Sequence, residues 1–180
     1  MSKILVISTS LRAKSNSDIL TEHLIAGAKD AGHEVEKISL KGKEIRFCIG
    51  CLACQKTETC VQKDDAVSIA EKAKNADTLV FSTPIYYYGM SGQMKTLLDR
   101  LNPLYPSAYQ FQRVYLLTTA AEDGDFVPEK AVSGLQGWVD CFEKAEFAGS
   151  LFCGGVADPG EAEGKDLKKD AAYQFGRALL

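Results

Sequence analysis

The sequence predicts an α/β fold in which helices cover both faces of a parallel sheet. Apolar runs of strand length alternate with amphipathic segments of helix length along the 180 residues, and this alternation is the signature of βαβ units. Hydrophobic residues make up 46% of a chain that is too short for two ordinary domains but long enough for a sizeable core. We therefore expect a single domain that spans residues 1–180.

Five strands and the helices between them are expected. The strands are predicted at residues 3–8, 33–40, 78–82, 113–119 and 145–153. The helices are predicted around residues 19–28 and 65–75, after a cap at Ser91, and at residues 129–144 and 166–180. Because crossovers between parallel strands are right-handed, we expect a doubly wound, flavodoxin-like sheet of order 2-1-3-4-5 in a three-layer αβα sandwich. Ligands would then bind beyond the carboxyl ends of strands 1, 3 and 4.

Charge and hydropathy exclude several classes of partner. The net charge of −3 and the pI of about 5.5 argue against nucleic acid, whose binders carry a clustered positive excess. The apolar run at residues 4–7 is too short for a signal peptide, and no stretch approaches membrane-spanning length. We expect a cytoplasmic protein with no membrane partner.

The loop after the first strand is predicted to bind a phosphate. Residues 8–17 join a buried strand to a helix and contain hydroxyls, an amide and two cations, which suit an anion at a helix N-terminus. The fingerprint GxGxxG is absent, so a single terminal phosphate is expected rather than a dinucleotide pyrophosphate. The alternative is that residues 15–18 only cap the helix. The candidate ligands are Ser10, Arg12, Ser15, Asn16 and Ser17.

The loop after the third strand is predicted to hold the ring of a flavin. Tyrosines offer large flat faces with a polar tip, and a glycine permits a tight turn that brings backbone N–H groups towards a ring. Together with a terminal phosphate, this loop indicates FMN. The candidate residues are Pro84, Ile85, Tyr86, Tyr87, Tyr88 and Gly89. The alternative is that the tyrosines mark a dimer interface or an ordinary aromatic cluster.

Two further residues at the same edge are assigned to the flavin, and no side chain is assigned to catalysis. Thr118 and Thr119 end the fourth strand and are expected to touch the pyrimidine edge of the flavin, although an ordinary turn is an equal alternative. His23 and His33 fall in helix and strand patterns, so neither is expected to act as a base. The chemistry would rest on the cofactors.

Four of the six cysteines form the spacing CxxCxxCxxxxxC within an insertion at about residues 44–64. They are Cys48, Cys51, Cys54 and Cys60. The first three match a ferredoxin-type run, and the fourth can reach the remaining iron of a [4Fe-4S] cluster. Zinc is one alternative, although structural zinc sites usually pair two CxxC knuckles across a longer gap. Reversible disulfides or inert thiols are the other alternative.

Three segments together resemble the NADPH-dependent FMN reductase-like branch of the flavodoxin superfamily. They are Thr9-Ser10-Leu11-Arg12 with Ser15-Asn16-Ser17, CIGCLAC with Cys60 and Asp64-Asp65, and Pro84 to Gly89 through Lys95 and Asp99-Arg100. Within this branch the cysteine spacing resembles the iron-sulfur flavoproteins. The resemblance implies a homodimer or homotetramer with FMN near a subunit boundary and a cluster that passes electrons to the flavin. Family members often have Gly-Ser-Pro-Arg where this chain has Thr9-Ser10-Leu11-Arg12, which changes the turn.

The predicted function is that of an FMN-dependent oxidoreductase that passes electrons between a [4Fe-4S] cluster and FMN. One alternative is an NAD(P)H-dependent FMN or quinone reductase without a cluster. The other is an FMN-binding electron carrier or redox-sensing module. The redox partner is expected to be NAD(P)H, a quinone or a ferredoxin, and the lack of a second nucleotide fingerprint leaves this choice open.

Overall fold

The protein has a central sheet with helices on both faces. The computed structural model describes residues 1–180. The strands are β1 (Lys3–Ser8), β2 (Glu34–Ser39), β3 (Thr78–Tyr86), β4 (Gly89–Met90), β5 (Arg113–Thr119) and β6 (Glu146–Cys153). The helices are α1 (Asn16–Asp30), α2 (Cys54–Thr57), α3 (Asp65–Lys74), α4 (Gly92–Arg100), α5 (Glu129–Val139) and α6 (Asp166–Arg177). Two 3-10 helices span Asn102–Leu104 and Glu161–Gly164.

The sheet confirms the α/β class and corrects the number of strands. Five strands pair in parallel in the order β2-β1-β3-β5-β6, and the two-residue strand β4 adds a sixth that pairs only with β3. Counted among themselves, the five parallel strands have the expected spatial order. The sequence prediction lacked β4, because residues 84–89 were expected to form a loop in which Gly89 permits a tight turn.

That loop is instead a β-hairpin. β3 continues to Tyr86, and an antiparallel pairing of Ile85 with Met90 closes the hairpin. Its two turn residues, Tyr87 and Tyr88, have φ angles of 49° and 63°. Two consecutive positive φ angles are the signature of a type I′ turn, whose backbone twist matches that of the flanking strands.

Both faces of the central strands β1, β3 and β5 are largely buried, as their apolar sequences indicate, whereas the edge strands β2 and β6 keep exposed residues. On β1, Leu5 and Ile7 face the core formed with α3, α4 and α5, whereas Ile4 and Val6 face the core formed with α1 and α6. This alternation follows from the two-residue period of a strand. None of the helices combines the length and the apolarity that crossing a lipid bilayer requires.

Two predicted helices end earlier than expected. α5 ends at Val139 rather than at residue 144, because the chain turns there and buries Phe142 beside Trp138. α6 ends at Arg177 rather than at residue 180. The remaining boundaries agree with the predictions within a few residues.

α1 is held against α6 by direct backbone contact. A Cβ atom on Gly176 would lie 1.9 Å from the carbonyl oxygen of Leu24, and one on Gly27 would lie 2.0 Å from that of Tyr173. Only glycine permits so close an approach of two helices. This contact fixes α1, whose first turn borders the predicted phosphate loop.

Candidate functional site

The predicted loops meet in one cleft at the carboxyl ends of β1, β3 and β5. This is the position where the strand order reverses, and open α/β sheets bind ligands there. The predicted residues that line the cleft are Ser10, Arg12, Ser15, Asn16, Pro84, Ile85, Tyr86 and Thr119. The other five, Ser17, Tyr87, Tyr88, Gly89 and Thr118, lie outside its lining.

The first turn of α1 presents backbone N–H groups beside buried hydroxyls. Ser15 caps the helix, and its Oγ accepts a hydrogen bond from the N–H of Asp18 at 3.4 Å and lies 2.9 Å from Oγ of Ser17. Asn16 and Ser17 are the first helical residues, so their N–H groups have no acceptor within the helix. Lys14, just before the cap, has a φ of 51°, a conformation that is uncommon for residues with a side chain.

Arg12 is the only charged side chain in the cleft lining. Its Nη1 donates to the carbonyl oxygen of Ala157 at 2.6 Å. A guanidinium has five N–H donors, so this bond leaves others for a ligand. The cleft therefore combines one positive charge with the positive end of the α1 dipole, a field that favours an anion.

Asn16 lines the cleft, but its side-chain amide forms hydrogen bonds with a distant segment of the chain. Nδ2 donates to the carbonyl oxygen of Asp158 at 2.9 Å, and Oδ1 accepts from the N–H of Ala162 at 3.0 Å. Of the proposed phosphate contacts, Asn16 can thus supply its backbone N–H. Its amide ties the segment 156–162 to the start of α1.

The segment 156–162 is a part of the site that sequence reasoning missed. Val156 and Ala157 line the cleft, and Glu161 accepts hydrogen bonds from the N–H groups of Ala157 and Asp158. These two bonds lower the pKa of Glu161 below its usual value. Small apolar residues about 140 positions away from the phosphate loop carry no local signal of such a role.

The three tyrosine side chains lie in different environments. Tyr86 lines the cleft and is half exposed, whereas Tyr87 is completely exposed. The hydroxyl of Tyr88 donates to Oε2 of Glu122 at 3.0 Å, and this bond raises the pKa of Tyr88. Of the three tyrosines, Tyr86 alone lines the cleft of a single chain.

A buried hydroxyl network supports the cleft from below. Oγ of Ser91, the N-cap of α4, lies 3.2 Å from Oγ1 of Thr9 and 3.0 Å from Oγ1 of Thr83. Thr9 also donates to the carbonyl oxygen of Ser82 at 3.0 Å. These bonds join the phosphate loop to β3 and to the start of α4.

The chemistry of the cleft suits FMN. Buried hydroxyls, free helix N–H groups and one guanidinium match a phosphate monoester. Pro84, Ile85 and Tyr86 provide an apolar wall for a ring. The free volume of the cleft is about 210 Å³, which is below the roughly 300 Å³ of most enclosed ligand pockets. The cleft would thus enclose only part of the cofactor and leave the rest at the surface.

A second, apolar cleft shares Tyr86 with the first. Its volume is about 520 Å³, within the usual range for a small-molecule site. It lies between the phosphate loop and the cysteine segment, the insertion at about residues 44–64. Leu11 lines it from the phosphate loop, and Ile45 and Phe47 line it from the cysteine segment. A ligand in this second cleft would also contact Tyr86.

The four clustered cysteines line one cavity. Cys54 is buried, Cys60 is intermediate, and Cys48 and Cys51 are exposed, and all four are free thiols. No three of the chain's cysteine, histidine and acidic side chains come together in an arrangement that could hold a metal ion. Thiols are the donor type that iron-sulfur clusters use, but the four thiols of this cavity are not arranged as metal ligands. The free volume is about 40 Å³, room for only a few water molecules, so a cluster would require the cysteine segment to spread.

A buried ion pair anchors the cysteine segment. Nη1 and Nη2 of Arg100 donate to the two carboxylate oxygens of Asp64 at 2.6 and 2.8 Å, and the side chains are 0% and 1% exposed. The N–H of Arg46 also donates to Asp64. Burial alone would raise the pKa of Asp64, but the hydrogen bonds from Arg100 and Arg46 hold that pKa below its usual value.

The cleft and the cysteine cavity lie at opposite ends of α4. Ser91 at the start of the helix contacts the phosphate loop, and Arg100 at its end lines the cysteine cavity. The helix has nine residues, which span about 14 Å.

The chain is similar in sequence to several known proteins. The profile of the family described as NADPH-dependent FMN reductase matches residues 2–141. A Bacillus subtilis protein, whose name describes an NAD(P)H-dependent FMN-containing oxidoreductase, is 31% identical over 183 residues, which cover 99% of this chain and 96% of that protein. An iron-sulfur flavoprotein of Methanocaldococcus jannaschii is 38% identical over 102 residues, 57% of this chain and 53% of that protein. The chain spans about half the length of the iron-sulfur flavoproteins it matches.

The fold also has solved relatives. An NAD(P)H:quinone oxidoreductase from Methanothermobacter marburgensis superimposes with a TM-score of 0.79 at 19% identity, over 98% of this chain and 94% of that one. At this identity the likeness shows the fold alone. The family match and the full-length similarity to the Bacillus subtilis protein show that the chain belongs to the NADPH-dependent FMN reductase family, a family of FMN-dependent oxidoreductases.

Proposed function

We propose that the chain is an FMN-dependent oxidoreductase of the iron-sulfur flavoprotein type, which passes electrons between a [4Fe-4S] cluster and FMN. The observation that carries this proposal is the pair of sites joined by α4: a cleft lined by Arg12 and the first turn of α1 at one end, and a cavity lined by four thiols at the other. Relatives named iron-sulfur flavoprotein support it.

The cleft residues would hold FMN by its phosphate and its ring. Ser10, Arg12, Ser15 and Ser17, with the N–H of Asn16, would bind the phosphate through hydroxyl, guanidinium and backbone donors. The ring would be flanked by residues 84–89, with Tyr86 as the main wall, and by Thr119 and the neighbouring Thr118 at its polar edge. Bound FMN would supply the conversion between two-electron and one-electron transfer.

The four cysteines would hold the cluster through their sulfur atoms. Cys48 and Cys51 lie in an exposed part of the segment, whereas Cys54 and Cys60 contact the rigid part of the fold. The exposed pair would therefore move the most when the cavity opens for the cluster. Iron-sulfur ligation would supply one-electron transfer at a potential set by the surrounding protein.

The second apolar cleft is our candidate site for the redox partner. It shares Tyr86 with the flavin cleft and includes Lys43 among its lining residues. A flat ring, whether the nicotinamide of NAD(P)H or a quinone, would lie next to the flavin there, and Lys43 would favour a negatively charged donor. A ferredoxin would instead meet the exposed cysteine segment. We also propose a homodimer or homotetramer, because the aromatic residues Phe47 and Tyr87 are largely exposed and Tyr86 is half exposed.

A reductase without a cluster is the second candidate. The full-length similarity to the Bacillus subtilis oxidoreductase favours it, as does the tight packing of the cysteine cavity. On this account, iron-free protein with bound FMN would oxidise NADPH or NADH steadily in the presence of a quinone. The cysteines would then have a structural or regulatory role.

The substitution Cys51→Ser tests the cluster against this second candidate. After anaerobic reconstitution with iron and sulfide, we expect the variant to lose most of its iron and to keep its FMN. Cys141→Ser is the matched control, since Cys141 is also an exposed thiol but lies outside the cysteine segment. Iron and sulfide contents of Cys51→Ser protein equal to those of the control would contradict the cluster assignment.

A further inference from the structure

The segment 156–162 contains a tight turn beside the phosphate loop. Residues 158–161 have the sequence Asp-Pro-Gly-Glu, and the N–H of the fourth donates to the carbonyl oxygen of the first at 3.2 Å. Gly160 has a φ of 83° and a ψ of 2°, which together with the preceding proline are the marks of a type II turn. The N–H of Gly160 donates to the carbonyl oxygen of Lys14 at 2.8 Å. The turn therefore has a conformation that its own sequence favours, and it is joined to the phosphate loop.

The side chain of Glu161 closes this turn. Its Oε2 accepts hydrogen bonds from the N–H groups of Ala157 and Asp158 at 2.8 and 3.2 Å, and its Oε1 lies 3.4 Å from Nζ of Lys165. One carboxylate oxygen thus binds two consecutive backbone N–H groups. Because such side-chain bonds replace backbone partners, they fix the local conformation of the chain.

The peptide unit between Ala157 and Asp158 links Glu161 to Arg12. Its N–H donates to Glu161, and its carbonyl oxygen accepts from Nη1 of Arg12 at 2.6 Å. Since a trans peptide unit is planar and its N–H and C=O groups point in opposite directions, fixing one group fixes the other. The next carbonyl, that of Asp158, binds Nδ2 of Asn16 at 2.9 Å. Glu161 therefore orients the acceptor that holds the guanidinium of Arg12.

The guanidinium of Arg12 depends on this acceptor for its position. The side chain is exposed, and its bond to the carbonyl oxygen of Ala157 is the one hydrogen bond that the guanidinium makes within the chain. A long side chain at the surface loses rotamer freedom when it binds a ligand, whereas a side chain that is already held loses less. A fixed acceptor at residue 157 thus favours binding of an anion by Arg12.

We infer that Glu161 is a positioning residue for the phosphate of the cofactor. Through one peptide unit it holds the guanidinium of Arg12 at the cleft, and it thereby strengthens the binding of a flavin that carries a terminal phosphate over one that does not. This inference rests on the proposed function, because it assigns the phosphate to Arg12. Glu161 itself does not line the cleft, and it lies outside residues 2–141, which match the family profile.

The substitution Glu161→Ala tests this role, with the affinities for FMN and for riboflavin measured by fluorescence quenching. We expect FMN to bind about threefold to tenfold more weakly, and riboflavin, which lacks the phosphate, to bind as it does to unmodified protein. Loss of a negative charge alone would have the opposite effect on FMN. Glu161→Gln keeps an acceptor oxygen and should retain most of the affinity. Glu163→Ala is the matched control, since Glu163 is an exposed carboxylate in the same 3-10 helix.

A second measurement separates the positioning of Arg12 from a general loosening of the turn. In Arg12→Ala protein, the further change Glu161→Ala should leave the affinity for FMN unchanged, because the guanidinium that Glu161 positions is gone. Equal losses of affinity in the two backgrounds overturn the inference, as do an equal loss for riboflavin or an unaltered affinity for FMN in Glu161→Ala protein. An unaltered affinity in Arg12→Ala protein, which is measured first, overturns the proposed phosphate site and the inference with it.

Discussion

The cleft at the carboxyl ends of the strands and the cysteine cavity lie at the two ends of one helix but are stabilised in different ways. The cleft is formed where parallel strands end, and buried residues such as Thr9, Thr83 and Ser91 support it from the core. The cysteine cavity borders residues 43–52, which form neither helix nor strand. That segment is held mainly by polar contacts from distant residues. Sheet topology thus determines one site, and a few side chains determine the other.

Because of this difference, we expect a substitution at the anchor of the cysteine segment to cost more free energy of unfolding than a substitution in the cleft costs in free energy of FMN binding. The anchor is the ion pair of Asp64 and Arg100, which is completely buried. The cleft, in contrast, offers several backbone and side-chain donors to a ligand.

The largest expected effect is that of Asp64→Asn. The variant leaves the guanidinium of Arg100 buried without a counter-charge, and breaking a buried pair by removing one partner costs about 3–5 kcal/mol. We expect this loss in the free energy of unfolding, measured by urea denaturation. Asp99→Asn is the matched control, since Asp99 pairs with Lys95 at the surface and such pairs contribute only about 0.3–0.5 kcal/mol. Equal losses in the two variants would contradict the role of the buried pair.

The same variant has a characteristic pH dependence. The pKa of Asp64 is lower in the folded protein than its usual value, so its carboxylate stabilises the fold above the pKa of the unfolded state. That contribution is lost as the pH falls below about 4 and through the folded pKa. The difference in stability between the unmodified protein and Asp64→Asn should therefore be constant near neutral pH and shrink in acid.

The second-largest expected effect is a loss of affinity for FMN when the lining of the cleft is changed. Arg12→Ala removes the only charged side chain of the lining, and a hydrogen bond to a charged group contributes about 1.5–3 kcal/mol. We expect the affinity for FMN, measured by fluorescence quenching, to fall about tenfold to a hundredfold. Lys41→Ala, at an exposed lysine outside the cleft, should bind FMN as the unmodified protein does. Unchanged affinity in Arg12→Ala protein would exclude Arg12 from the phosphate site.

The smallest effect is a gain in stability at the hairpin turn. Tyr87 is completely exposed and has a positive φ, a conformation that costs most residues about 1–2 kcal/mol and that asparagine adopts more readily. We expect Tyr87→Asn to raise the free energy of unfolding by about 1 kcal/mol. Tyr105→Asn, at an exposed tyrosine with a φ of −55°, should give no such gain. Without a difference between the two variants, the turn stores no strain.

The contrast between the two sites also explains what the sequence could predict. The strand Arg113–Thr119 was predicted at its observed bounds, because an apolar run that is buried on both faces is a strong local pattern. The loops after β1, β3 and β5 were also expected to meet in one cleft, because the order of the strands brings their carboxyl ends together. The family was recognised from three short motifs, and the match over residues 2–141 confirms it. The assignment of individual residues to FMN and to the cluster stays a prediction.

The features that were missed depend on contacts between distant residues or on unusual turn chemistry. The hairpin at Tyr87 and Tyr88 lacks the Asn-Gly or Asp-Gly pair that marks a type I′ turn. The engagement of the Asn16 amide by Asp158 and Ala162 joins residues more than 140 positions apart. Asp99 and Arg100 are adjacent, yet one is exposed and the other is completely buried. Periodicity can suggest which face of α4 is buried, but it does not show which distant carboxylate Arg100 binds.

The central claim is that one chain holds both FMN and an iron-sulfur cluster. The most direct test is a quantitative assay of flavin, iron and acid-labile sulfide on the same sample of anaerobically purified protein, together with its absorbance spectrum. We expect one FMN with about four irons and four sulfides per chain. FMN without iron or sulfide, even after anaerobic reconstitution, would exclude the cluster and leave a flavin reductase whose cysteines serve another purpose.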